Sequence, residues 1–204
     1  MRISLISMPG GGKSTVGRQL AKRLQIPFHD TDSVIEQRIG QTIREFFEAE
    51  GEPAFRDIES EVLAELLTPG LPPAVVSTGG GSVLRPANRV LLRERSCVLY
   101  LHNSPRELFR RLRHDTQRPL LQTADPLARL HQMAQQREPL YRETAHFVLE
   151  VGRPSVPLLV NTILMQLEVA GYLAKLPVSP PAAHDEPQPT TDAAEPLQIS
   201  EDAS

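Results

Sequence analysis

Five short apolar runs with the character of strands alternate along this chain with segments of helical period. The runs occupy residues 3–6, 27–29, 74–77, 97–101 and 146–149. This alternation is typical of a parallel sheet covered by helices on both faces, because each parallel connection needs a crossover segment. We therefore predict an α/β fold whose three layers, α/β/α, enclose a five-stranded parallel sheet.

Start and stop signals divide the intervening segments into helices. Val16, Leu20 and Leu24 recur on one helix face, and Thr42 with Glu45 forms a capping-box pattern. Further helices are expected to begin at Pro53 and at Ser155. The remaining signals are the apolar stripe Phe55, Ile58, Val62, Leu66 and Leu67, the cap–proline pairs Ser104–Pro105 and Asp125–Pro126, and Gly171 as a helix end.

Charge is distributed unevenly along the chain. Its 204 residues include 22 basic and 25 acidic side chains, and six of the acidic ones follow Lys175, the last basic residue. Residues 1–175 therefore carry a net charge of +3. We predict one domain over 1–175 and a disordered acidic tail over 176–204, because the tail offers too little apolar surface to offset chain ordering. A recruited interaction segment is the alternative interpretation of the tail.

Composition also excludes several classes of partner. The excess basic charge is small and dispersed, and aromatic residues make up only 4% of the chain with no Trp, so we expect no nucleic-acid partner. No apolar run approaches the roughly 18 residues of a membrane span. Pro9 and three glycines interrupt the first apolar run before a secretory core could form, and the single cysteine, Cys97, has the setting of a core residue. We predict a cytoplasmic protein.

Residues 7–15, Ser-Met-Pro-Gly-Gly-Gly-Lys-Ser-Thr, follow the first strand and open the first helix. This is the context in which phosphate-binding loops occur. Gly10, Gly11 and Gly12 allow successive backbone N–H groups to face one anion at a helix N-terminus. Lys13 would bridge the β- and γ-phosphates of ATP, and the Ser14 hydroxyl would ligate Mg²⁺. We assign Gly10 to Thr15 to ATP binding.

One position of this loop departs from the usual motif. Ser7 stands where the motif has its first glycine, at the exit from the strand. A flexible glycine turn with an exposed lysine is the alternative interpretation, but the strand, the helix and the Lys-Ser pair together favour a nucleotide site. We predict that Ser7 tunes the loop without abolishing binding.

Polar and glycine residues follow the next two strands. Asp30 and Asp32 come where the second strand ends, and Gly79, Gly80 and Gly81 follow the third. The carboxyl ends of parallel strands are where α/β enzymes place ligands. One carboxylate can face a metal ion while the other faces an acceptor. Capping of the next helix, which we expect to start near Ser33, is the alternative role and is compatible with the first.

The loop and five later motifs together resemble the shikimate kinase family over about residues 1–170. Those motifs are Asp30-Thr31-Asp32, Phe55-Arg56-Asp57, Thr78-Gly79-Gly80-Gly81, Arg118-Pro119-Leu120-Leu121 and Arg137-Glu138-Pro139-Leu140-Tyr141. The resemblance implies a P-loop kinase fold with a mobile lid. It also implies direct phosphoryl transfer from ATP to the 3-hydroxyl of shikimate in aromatic amino-acid biosynthesis, with Mg²⁺ as cofactor.

The resemblance assigns roles to individual residues. Lys13, Asp32 and Arg118 are then catalytic, and Asp30 holds Mg²⁺ through water together with Ser14. Asp32 accepts hydrogen bonds from the ring hydroxyls and serves as base or orienter of the attacking one. The substrate-binding set is Asp32, Arg56, Gly79, Gly80, Gly81 and Arg137.

Arg56 and Arg137 suit a carboxylate ligand, because guanidinium is a planar, bidentate cation. The alternatives without a binding role are a surface ion pair for Arg56, an ordinary helix-face charge for Arg137 and a permissive turn for the glycines. Three successive glycines favour instead a backbone that the substrate ring approaches closely.

A lid is predicted from about residue 112 to 124, where charged residues coincide with weak secondary-structure signals. Closure of such a segment would screen the γ-phosphoryl group from water. By resemblance Arg118 contacts phosphate, Arg111 lies beside adenine, and Arg153 belongs to the loop that flanks adenine. A solvated, charge-rich loop is the alternative.

Two other functions also fit a phosphate loop. One is a kinase for another small acid such as gluconate, and the other is a nucleotide-binding regulatory module that has lost catalysis. Arg56, Arg137 and the glycines favour a compact cyclic carboxylate, and a binding module has no need of an acceptor base such as Asp32. We predict a monomer that binds ATP and shikimate, since the sequence shows no exposed heptad.

Overall fold

The structure, a computed structural model, describes residues 1–112, 125–152 and 155–175. Over these residues, strands and helices alternate as the apolar runs predict. The elements are β1 Arg2–Ile6, α1 Lys13–Leu24, β2 Phe28–Asp30, α2 Thr31–Ile39, α3 Ile43–Leu66, β3 Ala74–Ser77, α4 Pro86–Arg95, β4 Ser96–His102, α5 Pro105–Leu112, α6 Pro126–Thr144, β5 Phe147–Glu150 and α7 Val156–Val169, with 3₁₀ turns at Ser82–Leu84 and Leu173–Lys175. Most of the predicted lid, Arg153 and the predicted tail lie outside the described residues.

The five strands form one parallel sheet in the order β2-β3-β1-β4-β5. The central strand β1 pairs with β3 on one side and β4 on the other, so that Ser4 lies between Val76 and Val98. The chain therefore passes from β1 to the edge strand β2, returns to β3 beside β1, and then crosses to β4 and β5 on the other side. The carboxyl end of β1 is the switch point at which ligands bind in open α/β sheets.

Alternating strand residues supply two separate cores. Leu99 and Leu101 of β4 face α1 and α7, where they meet Leu20 and Ile163. Their neighbours Val98 and Tyr100 face the opposite layer, which α3 to α6 form. This period of two in a sheet buried on both faces confirms the predicted three-layer arrangement. A third cluster packs α2 against α3 around Ile35, Phe55 and Val62.

The predicted helix boundaries are largely confirmed. Thr42 and Glu45 form the full capping box, and Asp125 accepts a hydrogen bond from the Ala128 N–H at 2.9 Å. The helices expected at Thr42 and Pro53 are the two halves of α3, which Gly51 interrupts with φ 80° and ψ 175°. Helix α2 begins at Thr31 with Asp30 as its cap, so our expectation of a start near Ser33 was two residues late.

The α3 stripe is only partly as predicted. Phe55, Val62 and Leu67 are buried, whereas Ile58 and Leu66 are only half-buried. Leu63 and the charged Glu59 complete the inward face. Cys97 is buried in β4, as expected. In the described ranges, no helix combines the length and the apolarity that a membrane crossing requires.

Candidate active site

A cleft of about 490 Å³ opens at the carboxyl edge of the sheet, beyond β1, β2 and β3. Most of its walls come from segments that directly follow these strands, as expected at a switch point. Its lining residues are Pro9, Gly10, Gly12, Lys13, Ser14, Thr15, Asp30, Asp32, Ser77, Thr78, Gly80, Arg111 and Leu112. The cleft thus brings together both aspartates and, of the predicted ATP-binding residues that the structure describes, all except Gly11.

The phosphate loop has the backbone that its glycines permit. Gly10 and Gly12 take left-handed φ values of 78° and 88°, which side-chain-bearing residues rarely adopt. Between them, the Gly11 N–H donates to the Met8 carbonyl at 3.0 Å. Gly12 is the N-cap of α1, so the N-terminal end of this helix, with the partial positive charge of its first N–H groups, faces the cleft. This geometry suits an anion.

Lys13 folds back over the loop. Its Nζ lies 3.3 Å from the Ser7 hydroxyl, 3.4 Å from the Ser7 carbonyl and 3.5 Å from the Met8 carbonyl. Ser7 is wholly buried, and its hydroxyl donates to the Met8 carbonyl at 2.9 Å. The departure from the usual glycine therefore fits the fold and places a polar group beside the lysine.

Ser14 and Asp30 meet across the cleft floor. The Ser14 hydroxyl donates to Asp30 Oδ2 at 2.6 Å, and the other carboxylate oxygen, Oδ1, accepts from the Asp32 N–H at 3.2 Å. Asp30 thus caps α2 and contacts Ser14 at the same time, so helix capping does not prevent it from facing the cleft. Among the described residues, no group of three or more His, Cys, Asp or Glu side chains could hold a metal. A hydroxyl and one carboxylate nevertheless fit Mg²⁺ in kinases, where phosphates and waters complete the shell.

Asp32 has an unusual ionisation equilibrium. Its side chain lines the cleft and is exposed to solvent there. Partial loss of hydration against the cleft walls, followed by the nearby charge of Asp30, raises its pKa from 3.8 to about 6, although Lys13 opposes the shift. A carboxylate with a pKa in this range is suited to accept or orient a proton near neutral pH.

Each of the three glycines after β3 is fitted against a different group. A Cβ on Gly79 would overlap Glu59 Oε1 and approach Asp32 Oδ1 at 3.1 Å, and one on Gly80 would stand 2.8 Å from the Pro9 ring. A Cβ on Gly81 would overlap the Arg56 guanidinium. None of the three has a left-handed φ. They are required by close approach rather than by an unusual turn.

Arg56 is held by two glutamates rather than by a surface pair with Asp57. Its Nη1 donates to Glu59 Oε2 at 2.7 Å and its Nη2 to Glu52 Oε1 at 2.9 Å. The Glu59 side chain is only 1% exposed and also accepts from the Ser82 hydroxyl at 2.8 Å. Asp57 pairs instead with Arg85 at 2.6 Å. The surface-pair alternative for Arg56 therefore holds only in part, because Glu52 is an exposed partner whereas Glu59 is buried.

Arg137 approaches the same glycine segment from α6. Its Nη1 donates to the Gly80 carbonyl at 3.2 Å, and the Tyr141 hydroxyl donates to that carbonyl at 2.5 Å. Burial raises the pKa of Tyr141, so its hydroxyl stays protonated and remains a donor. Arg56 and Arg137 thus flank Gly80–Gly81 from two helices, beside the cleft rather than among the residues that line it.

Arg111 is anchored at the other end of the cleft. It donates to Asn103 Oδ1 at 3.0 Å and to the Val151 carbonyl at 3.1 Å. Asn103 in turn donates to the Gly11 carbonyl at 3.3 Å, which links α5 to the phosphate loop. Arg118 and Arg153, also predicted to bind ATP, lie outside the described residues.

Sequence reasoning missed four side chains that shape this site, namely Thr31, Glu59, Ser82 and Asn103. Thr31 is buried and accepts from the Gly79 N–H at 2.9 Å. Two of them could have been found from their place in the sequence, because Thr31 and Asn103 directly follow the ends of β2 and β4, where ligand-binding residues are expected. Glu59 lies three residues after Arg56, but its burial has no sequence signature.

A parallel sheet with a phosphate loop at its switch point, a Ser–Asp pair and a second carboxylate in the same cleft defines a phosphotransferase of the P-loop kinase class. Comparison with known proteins gives the particular family. The family model described as Shikimate kinase matches residues 9–168. The chain belongs to the shikimate kinase family.

Individual relatives agree with this assignment. The chain is 58% identical over 172 residues to a shikimate kinase of Paracidovorax citrulli, covering 84% of this chain and 94% of the relative. It is 52% identical over 181 residues to the shikimate kinase of Ralstonia nicotianae, covering 89% and 92% of the two chains. The predicted family resemblance is confirmed.

Solved structures confirm the fold. A shikimate kinase from Acinetobacter baumannii, solved in complex with shikimate, is 38% identical with a TM-score of 0.78 over 83% of this chain and 93% of its own. A gluconokinase from Sinorhizobium meliloti is 20% identical with a TM-score of 0.50 over 83% and 92% of the two chains. The latter likeness shows the fold alone.

Proposed function

We propose that this protein phosphorylates the 3-hydroxyl of shikimate with ATP, forming shikimate 3-phosphate and ADP. The observation that supports this proposal most directly is that the donor loop and Asp32 share one cleft with a glycine segment flanked by Arg56 and Arg137. A neighbouring structure at 38% identity was solved with shikimate. Gluconate is a less suitable acceptor, because the likeness to a gluconokinase extends only to the fold.

On the donor side, the roles follow from charge and reach. Backbone N–H groups of the loop and of the first turn of α1 would face the phosphates of ATP, apart from that of Gly11, which donates to the Met8 carbonyl. The Lys13 ammonium would turn from the loop carbonyls toward the β- and γ-oxygens. Arg111, tied to Asn103 beside the loop, is positioned to contact the nucleotide. The motif-based roles of Arg118 over the phosphates and of Arg153 beside adenine complete the proposal.

Ser14 and Asp30 are the residues that would hold Mg²⁺. Their 2.6 Å contact presents two hard oxygen donors to the same region of the cleft as Lys13. When bound, the ion supplies neutralisation of phosphate charge. Asp30 would contribute through water, since its Oδ1 already accepts from the Asp32 N–H.

On the acceptor side, Asp32 would orient the attacking hydroxyl and accept its proton. Its carboxylate lies beside Gly79, so a ring placed against the glycine segment would present a hydroxyl to it. Arg56 and Arg137 would bind the substrate carboxylate; each Nη carries two hydrogens, so the present contacts do not exhaust their donors. Transfer is direct, with no phosphoenzyme.

We also propose that the protein is a cytoplasmic monomer in which residues 1–175 form the catalytic domain. A chain with one cysteine cannot form an internal disulfide, which suits a reducing compartment. Light scattering of the purified protein would test the monomer.

The activity is tested by measuring ADP release with shikimate, gluconate and nucleoside monophosphates offered separately. We expect release with shikimate alone. Asp32→Asn should lower turnover on the order of a hundredfold while ATP affinity stays close to that of the wild type. Arg137→Lys should mainly raise KM for shikimate. Absence of shikimate-dependent release by the wild type would refute the proposed function, and equal loss of ATP affinity in both variants would refute the division of roles.

A further inference from the structure

We infer that Ser7 is a positioning residue for Lys13 and that Ser7 is the reason why position 11 holds glycine. The inference rests on the proposed function, since it concerns how the loop receives ATP. Ser7 is the one position at which this loop departs from the usual phosphate-loop motif. Its side chain therefore supplies contacts that a glycine cannot.

The hydroxyl of Ser7 has a defined orientation. It is buried, and it donates its single proton to the Met8 carbonyl at 2.9 Å. The oxygen lone pairs are then available as acceptors, and the Lys13 ammonium lies 3.3 Å away. A serine at position 7 thus acts as an acceptor toward the lysine.

Ser7 supplies two oxygens to Lys13, its hydroxyl at 3.3 Å and its carbonyl at 3.4 Å. The Met8 carbonyl lies at 3.5 Å. A glycine at position 7 would contact Lys13 only through its own backbone carbonyl and would lack the hydroxyl. Because an ammonium has more than one N–H, Lys13 can keep a bond to Ser7 while it turns its other donors to phosphate oxygens. The hydroxyl thereby orders a long, flexible side chain before ATP arrives.

Gly11 is explained by the same side chain. It has no left-handed φ, unlike Gly10 and Gly12, so its backbone does not demand glycine. A Cβ at this position would overlap the Ser7 hydroxyl and stand 2.9 Å from Ser7 Cβ. Rotating the hydroxyl away would remove the overlap only by breaking the contacts to Met8 and Lys13. Ser7 and Gly11 are therefore coupled.

Calorimetry of ATP·Mg²⁺ binding tests the link to Lys13. We expect Ser7→Ala to weaken binding roughly 3- to 10-fold, the effect of losing one hydrogen bond. In a Lys13→Ala background, measured at higher protein concentration, the same change should have no further effect. Ser96→Ala is the matched control, because the Ser96 hydroxyl also donates to a backbone carbonyl, that of Leu92 at 2.8 Å, but at the opposite edge of the sheet. It should bind as the wild type does.

Unchanged or tighter binding by Ser7→Ala would overturn the inference, as would the same loss in both backgrounds. Either of these two results would be compatible with the proposed function, because the wild type still binds ATP. A wild type that does not bind ATP·Mg²⁺ overturns the proposed function and the inference with it.

A second comparison tests the coupling to Gly11. Gly11→Ala should lower kcat/KM for ATP by roughly tenfold or more, since the added methyl group displaces Ser7. Ser7→Gly in the same chain should raise kcat/KM toward the value of the Ser7→Gly single variant but not above it, because the hydroxyl contact to Lys13 is lost in both and the Met8 carbonyl would still stand 3.0 Å from the new Cβ. Melting temperatures confirm that both variants fold. A double variant as impaired as Gly11→Ala would overturn the coupling.

Discussion

Asp32 links the electrostatics of the cleft to the pH dependence of the reaction. Partial loss of hydration and the charge of Asp30 raise its pKa to about 6, so the carboxylate predominates above that pH and the neutral acid below it. Only the carboxylate can accept a proton from the attacking hydroxyl. The same shift means that the contribution of Asp32 to folding stability is largest at low pH and is lost as pH rises through about 6. The site therefore retains a group whose ionisation opposes folding.

We expect kcat/KM for shikimate, measured with ATP well below its KM, to fall as pH decreases through about 6, because under that condition the parameter reports ionisations of the free enzyme. Glu36 also raises the pKa of Asp32, so Glu36→Gln should move the acidic limb to lower pH. The amide oxygen that this substitution introduces can still accept from the Ile43 N–H, a bond that Glu36 makes at 3.1 Å. Rate profiles between about pH 4.5 and 8 in buffers of constant ionic strength, a range chosen around that pKa, provide the measurement. An acidic limb that persists unchanged in Asp32→Asn would contradict the assignment to Asp32.

Glu59 places a carboxyl group where solvent barely reaches it. Its partners are Arg56 at 2.7 Å and Ser82 at 2.8 Å, and its side chain is 1% exposed. We expect Glu59→Gln to raise KM for shikimate by about tenfold through misplacement of Arg56, while KM for ATP changes little. Asp57→Asn is the matched control, because Asp57 pairs with Arg85 on the exposed side of the same helix and should be nearly neutral. Equal effects of the two variants would show that burial of Glu59 has no role in substrate binding.

At the scale of elements, Gly51 divides α3 into two halves that differ in direction. Its φ of 80° and ψ of 175° fall in a region that is essentially restricted to glycine. The first half begins at the Thr42 capping box, and the second carries Phe55 into the cluster with Ile35 and also carries Arg56 and Glu59. The break therefore sets the direction of the helix that supplies the acceptor arginine.

We expect Gly51→Ala to lower the free energy of unfolding by about 1–3 kcal/mol, the usual cost of this backbone region for other residues. The adjacent, exposed Glu50→Ala should change it by less than about 0.5 kcal/mol. Urea denaturation followed by circular dichroism provides both values. If Gly51→Ala were as stable as Glu50→Ala, the break would not require glycine.

The elements were predictable from the chain because local signals determine them. Each strand coincides with an apolar run, and caps such as Thr42 and Asp125 mark helix starts. Tertiary placement of polar groups was not predictable in the same way. Glu59 looks like any glutamate of a charged helix, and only packing against Gly79 and Ser82 identifies it as buried. The glycines after β3 were expected to admit the substrate, but their immediate neighbours are Glu59, Pro9 and Arg56.

At the scale of the molecule, the cleft depends on both cores and on chain segments far apart in sequence. The phosphate loop begins where β1 ends, Asp32 lies in the first turn of α2, and Arg137 belongs to α6. On the α1–α7 face, Tyr172 and Leu173 pack against the core, and the Tyr172 ring lies beside Phe147. These contacts complete the core on the α1–α7 face, and they end within three residues of the proposed domain boundary at Lys175.

We therefore expect a chain cut after Lys175 to keep kcat/KM for both substrates within about twofold and its melting temperature within about 2 °C of the full chain. It would lose six acidic residues but none of the described core. A chain cut after Val169 is the matched control, because it also lacks Tyr172, whose ring lies edge-on to Phe147 at 5.9 Å, and Leu173. Removing two core-packed side chains should lower the melting temperature by roughly 5 °C or more. If both cuts were equally damaging, residues 176–204 would belong to the catalytic domain, and its boundary would lie beyond Lys175.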